Sequence, residues 1–332
     1  MDLSIVWLGL LGLAVLAYVI LDGFDLGVAL LFPFYPERGD RDVMMNSVAP
    51  VWDGNETWLI LGGGGLFAAF PLAYAVLMPA VYAPLIAMLL GLVFRGVAFE
   101  YRWRSTRRRW FWDRAFTGGS LVAALSQGII LGAILQGVEV DERSYAGGWW
   151  DWLSPFSLLC GVSVVIGYAL LGATWLIMKT EGPLQQRAFG LAGWAGGATL
   201  ACIGAVSLAT VFLQESYYHR WFDMPAVLLT AQVPLLTLIT AVAFFASLRR
   251  RRERVPFFLA LALFLLSFTG LMVSLYPYIV PNSITIWEAA APRSSQLFML
   301  VGAVILLPII IAYTAYAYWV FRGKIDPNEG YH

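Results

Sequence analysis

Histidine is almost missing from this chain: its 332 residues include only His219 and His332. A protein-held haem needs axial His, Met, Cys or Tyr ligands facing one another across helices. Methionines occur, Met78, Met88 and Met272 among them, but a methionine without a partnering histidine is a poor haem site. The sequence therefore predicts no haem bound wholly by this chain, and no zinc or di-iron centre. Cysteine is as scarce, with only Cys160 and Cys202. Both fall inside predicted helices, too few for an iron–sulfur cluster and wrongly placed for a disulfide framework, so they read as small buried residues. No GxGxxG or Walker-type loop stands between a strand and a helix. The glycine run LGGGGLF at 61–67 lies within an apolar stretch and reads as close helix packing. Charge is sparse too: 13% of residues, with a formal net charge of zero.

What fills the chain is oil. Hydrophobic residues make up 60% of it and the mean hydropathy is +0.74, values that belong to an integral membrane protein. Apolar windows long enough to cross a bilayer are predicted near 5–31, 51–74, 76–99, 117–137, 153–178, 187–213, 225–247, 255–277 and 297–320, forming one integral membrane domain over 1–332. The second and third share a hinge near AAFPLAYA, and merging them would give eight. The first window has no basic leader or small-residue cleavage site, so it reads as a retained helix rather than a signal peptide. Continuous apolar runs of this length do not fit a β-barrel.

The basic residues orient the chain. With nine helices and the N-terminus outside, 17 of the 21 lie in inward loops or the C-terminal tail, Arg143, Arg220 and Arg293 lie outside, and Arg95 sits near the inner end of the third helix. That asymmetry predicts N-out, C-in. It also explains the arginine clusters as topology, so no nucleic-acid partner is expected.

Ionisable groups inside a membrane are costly and mark function by default. Asp22 and Asp25 lie three apart in the first helix, beside Gly23 and Gly27, which let another helix come close. Asp53 and Glu56 open the second helix, and Arg95, Glu100 and Arg102 end the third. All are predicted on the inner side. Such a cluster suits a proton path, because neighbouring acids raise one another's pKa, an arginine lowers it, and water can link the steps. Asp53, Glu56, Asp25, Asp22 and Glu100 are the candidate carriers, with Arg95 and Arg102 as counter-charges. A purely structural reading competes with this: the first-helix acids pair with polar backbone at a packed interface, and Asp53 with Glu56 caps a helix. On the outer side, Trp287 and Glu288 in PNSITIWEAAAPRSSQ form either a re-entrant structural site or an ordinary loop. GVEVDERSYAGGWWDW at 137–152 reads as a solvated face beside an aromatic belt.

These stretches carry a resemblance. LDGFDLGVALLF at 21–32, NSVAPVWDGNETWLILGGGGLFAAFPLAYA at 46–75, VFRGVAFEYR at 93–102 and IWEAAAPRSSQL at 286–297 closely resemble subunit II of the cytochrome bd-type quinol oxidases, across essentially the whole chain. The resemblance implies an all-α fold of nine transmembrane helices, two four-helix bundles plus a peripheral helix, in pseudosymmetric contact with a haem-bearing subunit I. It implies a complex that oxidises quinol, reduces dioxygen to water and takes up protons from the cytoplasm. The haems, b- and d-type or b-type only, would all belong to the partner. In the family the acid of WDGN lines a proton channel between the subunits, which here falls on Asp53. The DGFD acids fall on Asp22 and Asp25, and the FRxxxF[DE]YR motif on Arg95, Glu100 and Arg102, with Glu in place of Asp at 100. Some members hold a structural quinone in this subunit, and a small single-helix accessory subunit also belongs among the partners so implied, with quinol and lipid. The expected location is a bacterial or archaeal cytoplasmic membrane. The competing reading is a proton-coupled secondary transporter, which would show a midplane site between broken helices.

Overall fold

The computed structural model describes residues 2–105 and 107–326; His332 lies outside them. Almost everything is helix. The order is α1 (Leu3–Leu30), α2 (Arg38–Val48), α3 (Trp52–Ala69), α4 (Pro71–Ala80), α5 (Tyr82–Arg104), α6 (Arg109–Gln136), α7 (Pro155–Lys179), α8 (Gly182–Val211), α9 (Glu215–Phe222), α10 (Val227–Thr230), α11 (Gln232–Arg249), α12 (Val255–Leu275), α13 (Ile286–Ala289) and α14 (Arg293–Val320). Two small antiparallel hairpins, β1–β2 (Val140–Asp141, Ser144–Tyr145) and β3–β4 (Tyr278–Val280, Ile284–Thr285), punctuate the loops.

The helices start where local chemistry starts them. Asp2 caps α1, its Oδ1 accepting from the Ser4 and Ile5 amides at 2.9 and 3.4 Å. Ser154 and Ser157 form a reciprocal capping box on α7, with Pro155 in the first turn where its missing N–H costs nothing.

Among the described residues, eight helices are long and apolar enough to cross a membrane. The segment Trp52–Ala69 is not one of them, because Asp53, Asn55 and Glu56 load its first turn with polarity. The hinge expected near AAFPLAYA is real but larger than a hinge: the chain breaks at Phe70, runs through the ten-residue α4, and breaks again at Val81. Accordingly the third window, predicted from 76, begins as α5 at Tyr82. The fourth, predicted from 117, begins at Arg109, since the arginine- and tryptophan-rich run before it is helical as well. The first loop is likewise not extended. It holds α2, which buries Met44, Met45 and Val48.

α7 is central, packing against α1, α6 and α8, while α5 packs on α6 and α3 on α1. Glycine permits the tightest crossings. A Cβ on Gly27 would overlap the Tyr168 carbonyl oxygen, and one on Gly172 would overlap the backbone of Gly27, so α1 and α7 touch backbone to backbone. α5 and α6 do the same, a Cβ on Gly91 lying 2.6 Å from Gly119 O. Small residues let membrane helices gain dispersion contacts that lipid would otherwise supply. The 61–67 glycine run divides differently from expectation: Gly62 and Gly65 face α1, whereas Gly63 and Gly64 have no neighbour within 4 Å. Below the crossings lies the largest core cluster, in which Phe24 stacks on Trp175 at 4.1 Å and Phe257 closes on both.

Gly27→Ala is expected to destabilise the purified protein in detergent by more than the roughly 1–3 kcal/mol of ordinary overpacking, because the obstacle is backbone rather than a side chain. Gly9→Ala, with nothing within 4 Å, is the control. Equal thermal midpoints for the two variants would show that the α1–α7 crossing yields without cost.

Candidate functional site

Three residues per α-helical turn and a fraction put positions three apart on adjoining faces, so Asp22 and Asp25 both point from α1 into the packed interior. Neither is exposed at all. Arg95 reaches them from α5. Its Nη1 donates to Asp22 Oδ1 at 2.5 Å, and both side chains are 0% exposed. The Trp52 ring lies 5.7 Å from the guanidinium and itself stacks on Phe99 at 4.6 Å, forming one wall. Asp25 has a different partner. Its Oδ2 accepts from Asn55 Nδ2 at 2.7 Å; Asn55 Nδ2 also donates to Leu21 O at 3.3 Å, and Asn55 Oδ1 accepts from Tyr318 Oη at 2.8 Å.

A second polar chain runs from Asp22 toward α7. Tyr18 stands one turn before Asp22, Gln127 Nε2 donates to Tyr18 Oη at 2.8 Å, and Tyr168 Oη donates to Gln127 Oε1 at 2.6 Å. Four buried atoms within this set, Asp22 Oδ2, Asp25 Oδ1, Arg95 Nε and Arg95 Nη2, have no hydrogen-bond partner among the described residues. Native interiors pair nearly all such groups, with protein or with ordered water.

The other predicted residues divide around this centre. Glu56 is half-buried in the first turns of α3 and acts electrostatically on Arg95. Asp53, one turn earlier, is exposed at the surface of the chain. Glu100 is not in the cluster: it is exposed and pairs only loosely with Arg104, at 3.7 Å. Helix geometry explains this, because five residues beyond Arg95 is about 140° around α5.

Arg102 is seven residues on, hence on the Arg95 face but about 10 Å farther along the axis. There it is buried in a second ion group, its Nε on Asp113 Oδ1 and its Nη1 on Asp42 Oδ1, each at 2.6 Å. Arg41 adds a bond to Asp113 at 3.0 Å, and Arg109 approaches Asp42 at 3.6 Å. This group locks α2, α5 and α6 together. Asp42 and Asp113 escaped the sequence reading because both sit in arginine-rich loops already explained by topology. Gln127 and Tyr318 escaped it because neither is charged and Tyr318 is one of many aromatics at the end of α14. Only the unusual polarity of a glutamine in an apolar helix offered a signal.

Trp287 and Glu288 act at the far end of α1. Trp287 Nε1 donates to Asp2 Oδ2 at 2.7 Å, and Glu288 Oε2 accepts from the Thr285 amide and hydroxyl, both at 2.8 Å. Those bonds hold the Glu288 carboxyl below its usual range, as the Trp287 bond does for Asp2. The pair fastens the turn before α14 to the cap of α1, roughly 30 Å from Asp22 by helix rise.

Among the described residues no group of three or more His, Cys, Asp or Glu is placed to hold a metal ion. His219, the one described histidine, is exposed and lies 3.0 Å from Asp223. Nothing in that setting fits an axial haem ligand facing a second one.

The fold and the site together define a polytopic, all-helical membrane protein with a buried two-acid, one-arginine cluster. The sequence matches the family model described as cytochrome bd terminal oxidase subunit II over residues 3–321, and the chain belongs to that family. It is 33% identical over 372 residues to a protein of Escherichia coli (strain K12) named cytochrome bd-I ubiquinol oxidase subunit 2, covering 98% of this chain and 96% of the relative. Its identity to the Bacillus subtilis (strain 168) protein named cytochrome bd ubiquinol oxidase subunit 2 is 28% over 335 residues, covering 97% of each. Among solved structures, a chain of the bd oxidase from Geobacillus thermodenitrificans matches with a TM-score of 0.79 at 18% identity, covering 97% of this chain and 99% of that one. At that identity the likeness bears on the fold.

Removing the Asp22 charge strands Arg95 in the interior. Asp22→Asn is expected to destabilise the protein by about 3–5 kcal/mol, the usual cost of breaking a buried ion pair, read as a lowered thermal or denaturant midpoint. Asp22→Asn combined with Arg95→Gln should recover part of the loss. Single and double variants that are equally unstable would show that charge pairing is not what Asp22 contributes.

Proposed function

We propose that this chain is the haem-free second subunit of a quinol:oxygen oxidoreductase in a bacterial inner membrane, seating a haem-bearing subunit and supplying part of its proton-uptake path. Membership of the family supports the oxidase reading over the transporter alternative. The relatives named in that family are ubiquinol oxidase subunits, which brings in quinol as reductant and a first subunit as partner. The reading puts the haems, whether b- and d-type or b-type only, in that partner; family membership supports it. A structural quinone and a single-helix accessory subunit belong to the same proposal.

The topology proposed is nine spans, N-out and C-in, as two four-helix bundles and a peripheral helix, with α3 as the span that length and apolarity alone do not count. Its polarity fits a helix whose first turn lines a wet interface. Counting it keeps 17 basic residues on one side against three on the other.

The observation that carries the proton role is a gradation of burial. Asp53 is exposed, Glu56 half-buried, and Asp22 and Asp25 fully buried beside unpartnered polar atoms. A proton entering at Asp53 would meet acids of increasing burial, the last of them paired with Arg95. Glu100 belongs to this path at its rim: it extends an exposed apolar stripe of α5 that includes Leu90, Val93, Phe94 and Val97. That stripe on α5, and on α3 the exposed Ile60 and Phe67 with the open Gly63 and Gly64, are faces suited to another membrane helix. Arg95 holds the inner charges, and Arg102 braces the helices that present them. Chemistry on dioxygen would be supplied by the partner's haems; this chain's acids hold and pass protons.

The test is Asp53→Asn in a complex purified with its partner. Turnover and proton uptake should fall on the order of tenfold, less than the 10²-fold or more typical of a lost proton-transfer group in a reacting site, because water bridges part of the gap. Haem content should stay normal. Unchanged turnover in a fully haem-loaded variant would remove Asp53 from the path, and loss of haem would assign it to assembly.

A further inference from the structure

α14 is the least embedded of the long helices: of its 28 residues only Gln296 is buried. Near one end Trp7 Nε1 donates to Gln296 O at 3.2 Å. Just past the other, Lys179 Nζ donates to the carbonyls of Phe321 and Gly323. Less than one turn inside that second anchor, Tyr318 reaches back into the body of the protein. Its ring meets Phe24 and Trp175 edge-on, each at 6.3 Å between centroids, and its hydroxyl ends on Asn55 Oδ1.

Asn55 is 1% exposed, and both hydrogens of its amide are committed. Nδ2 has two hydrogens and two acceptors, Asp25 Oδ2 and Leu21 O; Oδ1 has one donor, Tyr318 Oη. Turning the amide over would set an oxygen against a carboxylate and a carbonyl, two acceptor–acceptor contacts in a site without bulk water. Those two acceptors set which way the amide faces, and the tyrosine hydroxyl, bonded to its oxygen, holds the amide in place so that its donor stays on Asp25. As a result the two oxygens of Asp25 differ. Oδ2 is tied by an N–H, whereas Oδ1 is buried without a partner.

We propose that Tyr318 is a positioning residue for Asp25: acting through Asn55, it directs proton exchange to Oδ1 of the acid and makes the seating of α14 part of the buried site. This rests on the proton role proposed for Asp25, and the two can be tested apart. The relay is local, spanning two hydrogen bonds of 2.8 and 2.7 Å. Tyr318→Phe deletes the first while keeping the ring against Phe24 and Trp175.

The experiment uses the assembled complex and infrared difference spectroscopy, with the Asp25 band, as acid or carboxylate, identified by its loss in Asp25→Asn. In Tyr318→Phe that band is expected to shift, with normal haem content and a several-fold lower turnover. Tyr318→Phe added to Asp25→Asn should cause no further loss, because residues in one network are not additive. An unmoved band overturns the relay, as does a turnover loss that multiplies with that of Asp25→Asn, and so does a Tyr318→Phe complex that fails to hold haem. Unchanged turnover in Asp25→Asn alone would instead remove the proton role of Asp25, while the band shift would still decide whether Tyr318 orients it.

Discussion

A guanidinium enclosed by apolar helices must be neutralised where it sits, and Arg95 is neutralised by Asp22 at 2.5 Å with neither side chain exposed. Desolvating both ions is expensive, and the pair offsets that cost only while the geometry holds. Much of the rest follows from this requirement. α1 and α5 must stay in register so that Asp22 meets Arg95; α6 and α7 are drawn in by the Tyr18–Gln127–Tyr168 chain. The second acid, Asp25, then has no cation of its own at hydrogen-bond distance. A set of one arginine and two ionised acids would hold net negative charge within the bundle, and a single proton removes it. The pair that stabilises the fold thereby leaves its neighbour chemically available.

Close packing and polar chemistry depend on each other here. The α1–α7 crossing at Gly27 and Gly172 falls within two turns of Asp22 and Asp25, and the α5–α6 crossing at Gly91 and Gly119 lies one turn from Arg95. Bulkier residues at those points would spread the helices and lengthen every bond in the cluster. The same logic explains the second ion group at the ends of α2, α5 and α6, where Arg102 bridges Asp42 and Asp113. It sets the spacing of α5 and α6 below the site and so supports Arg95 from one direction.

Much of this was legible from the sequence, for physical reasons that can be named. Charges are so rare in the apolar runs that Asp22, Asp25 and Arg95 stood out individually, and three-residue spacing placed the two acids together. What spacing could not supply was distance between helices. It grouped Arg95, Glu100 and Arg102 at one level, whereas the 100° step per residue sends Glu100 to the outside and the axial rise carries Arg102 to another set of partners. It also gave no warning of Tyr318, which is 263 residues from Asn55 in the chain. Neutral polar residues in aromatic-rich helix ends carry no periodic signal, and only the fold reveals their aim. The α4 break was visible as a hinge at Pro71, but an apolar ten-residue helix cannot be told from the end of a longer one by composition.

The division between buried and exposed acids bears on how the chain works with a partner. Asp22 and Asp25 are enclosed by groups of the chain itself, with one oxygen of Asp22 on Arg95, one of Asp25 on Asn55, and Tyr18, Gln127 and Tyr318 behind them. Asp53 and Glu100 are not; they sit on flanks whose neighbouring residues, Ile60, Phe67, Leu90, Val93 and Phe94, are apolar and open. Carboxylates bordered by such surfaces are poorly placed in lipid and well placed at a helix–helix interface that traps water. On the proton path proposed above, this chain would supply the buried acids and one side of an entrance that the partner completes.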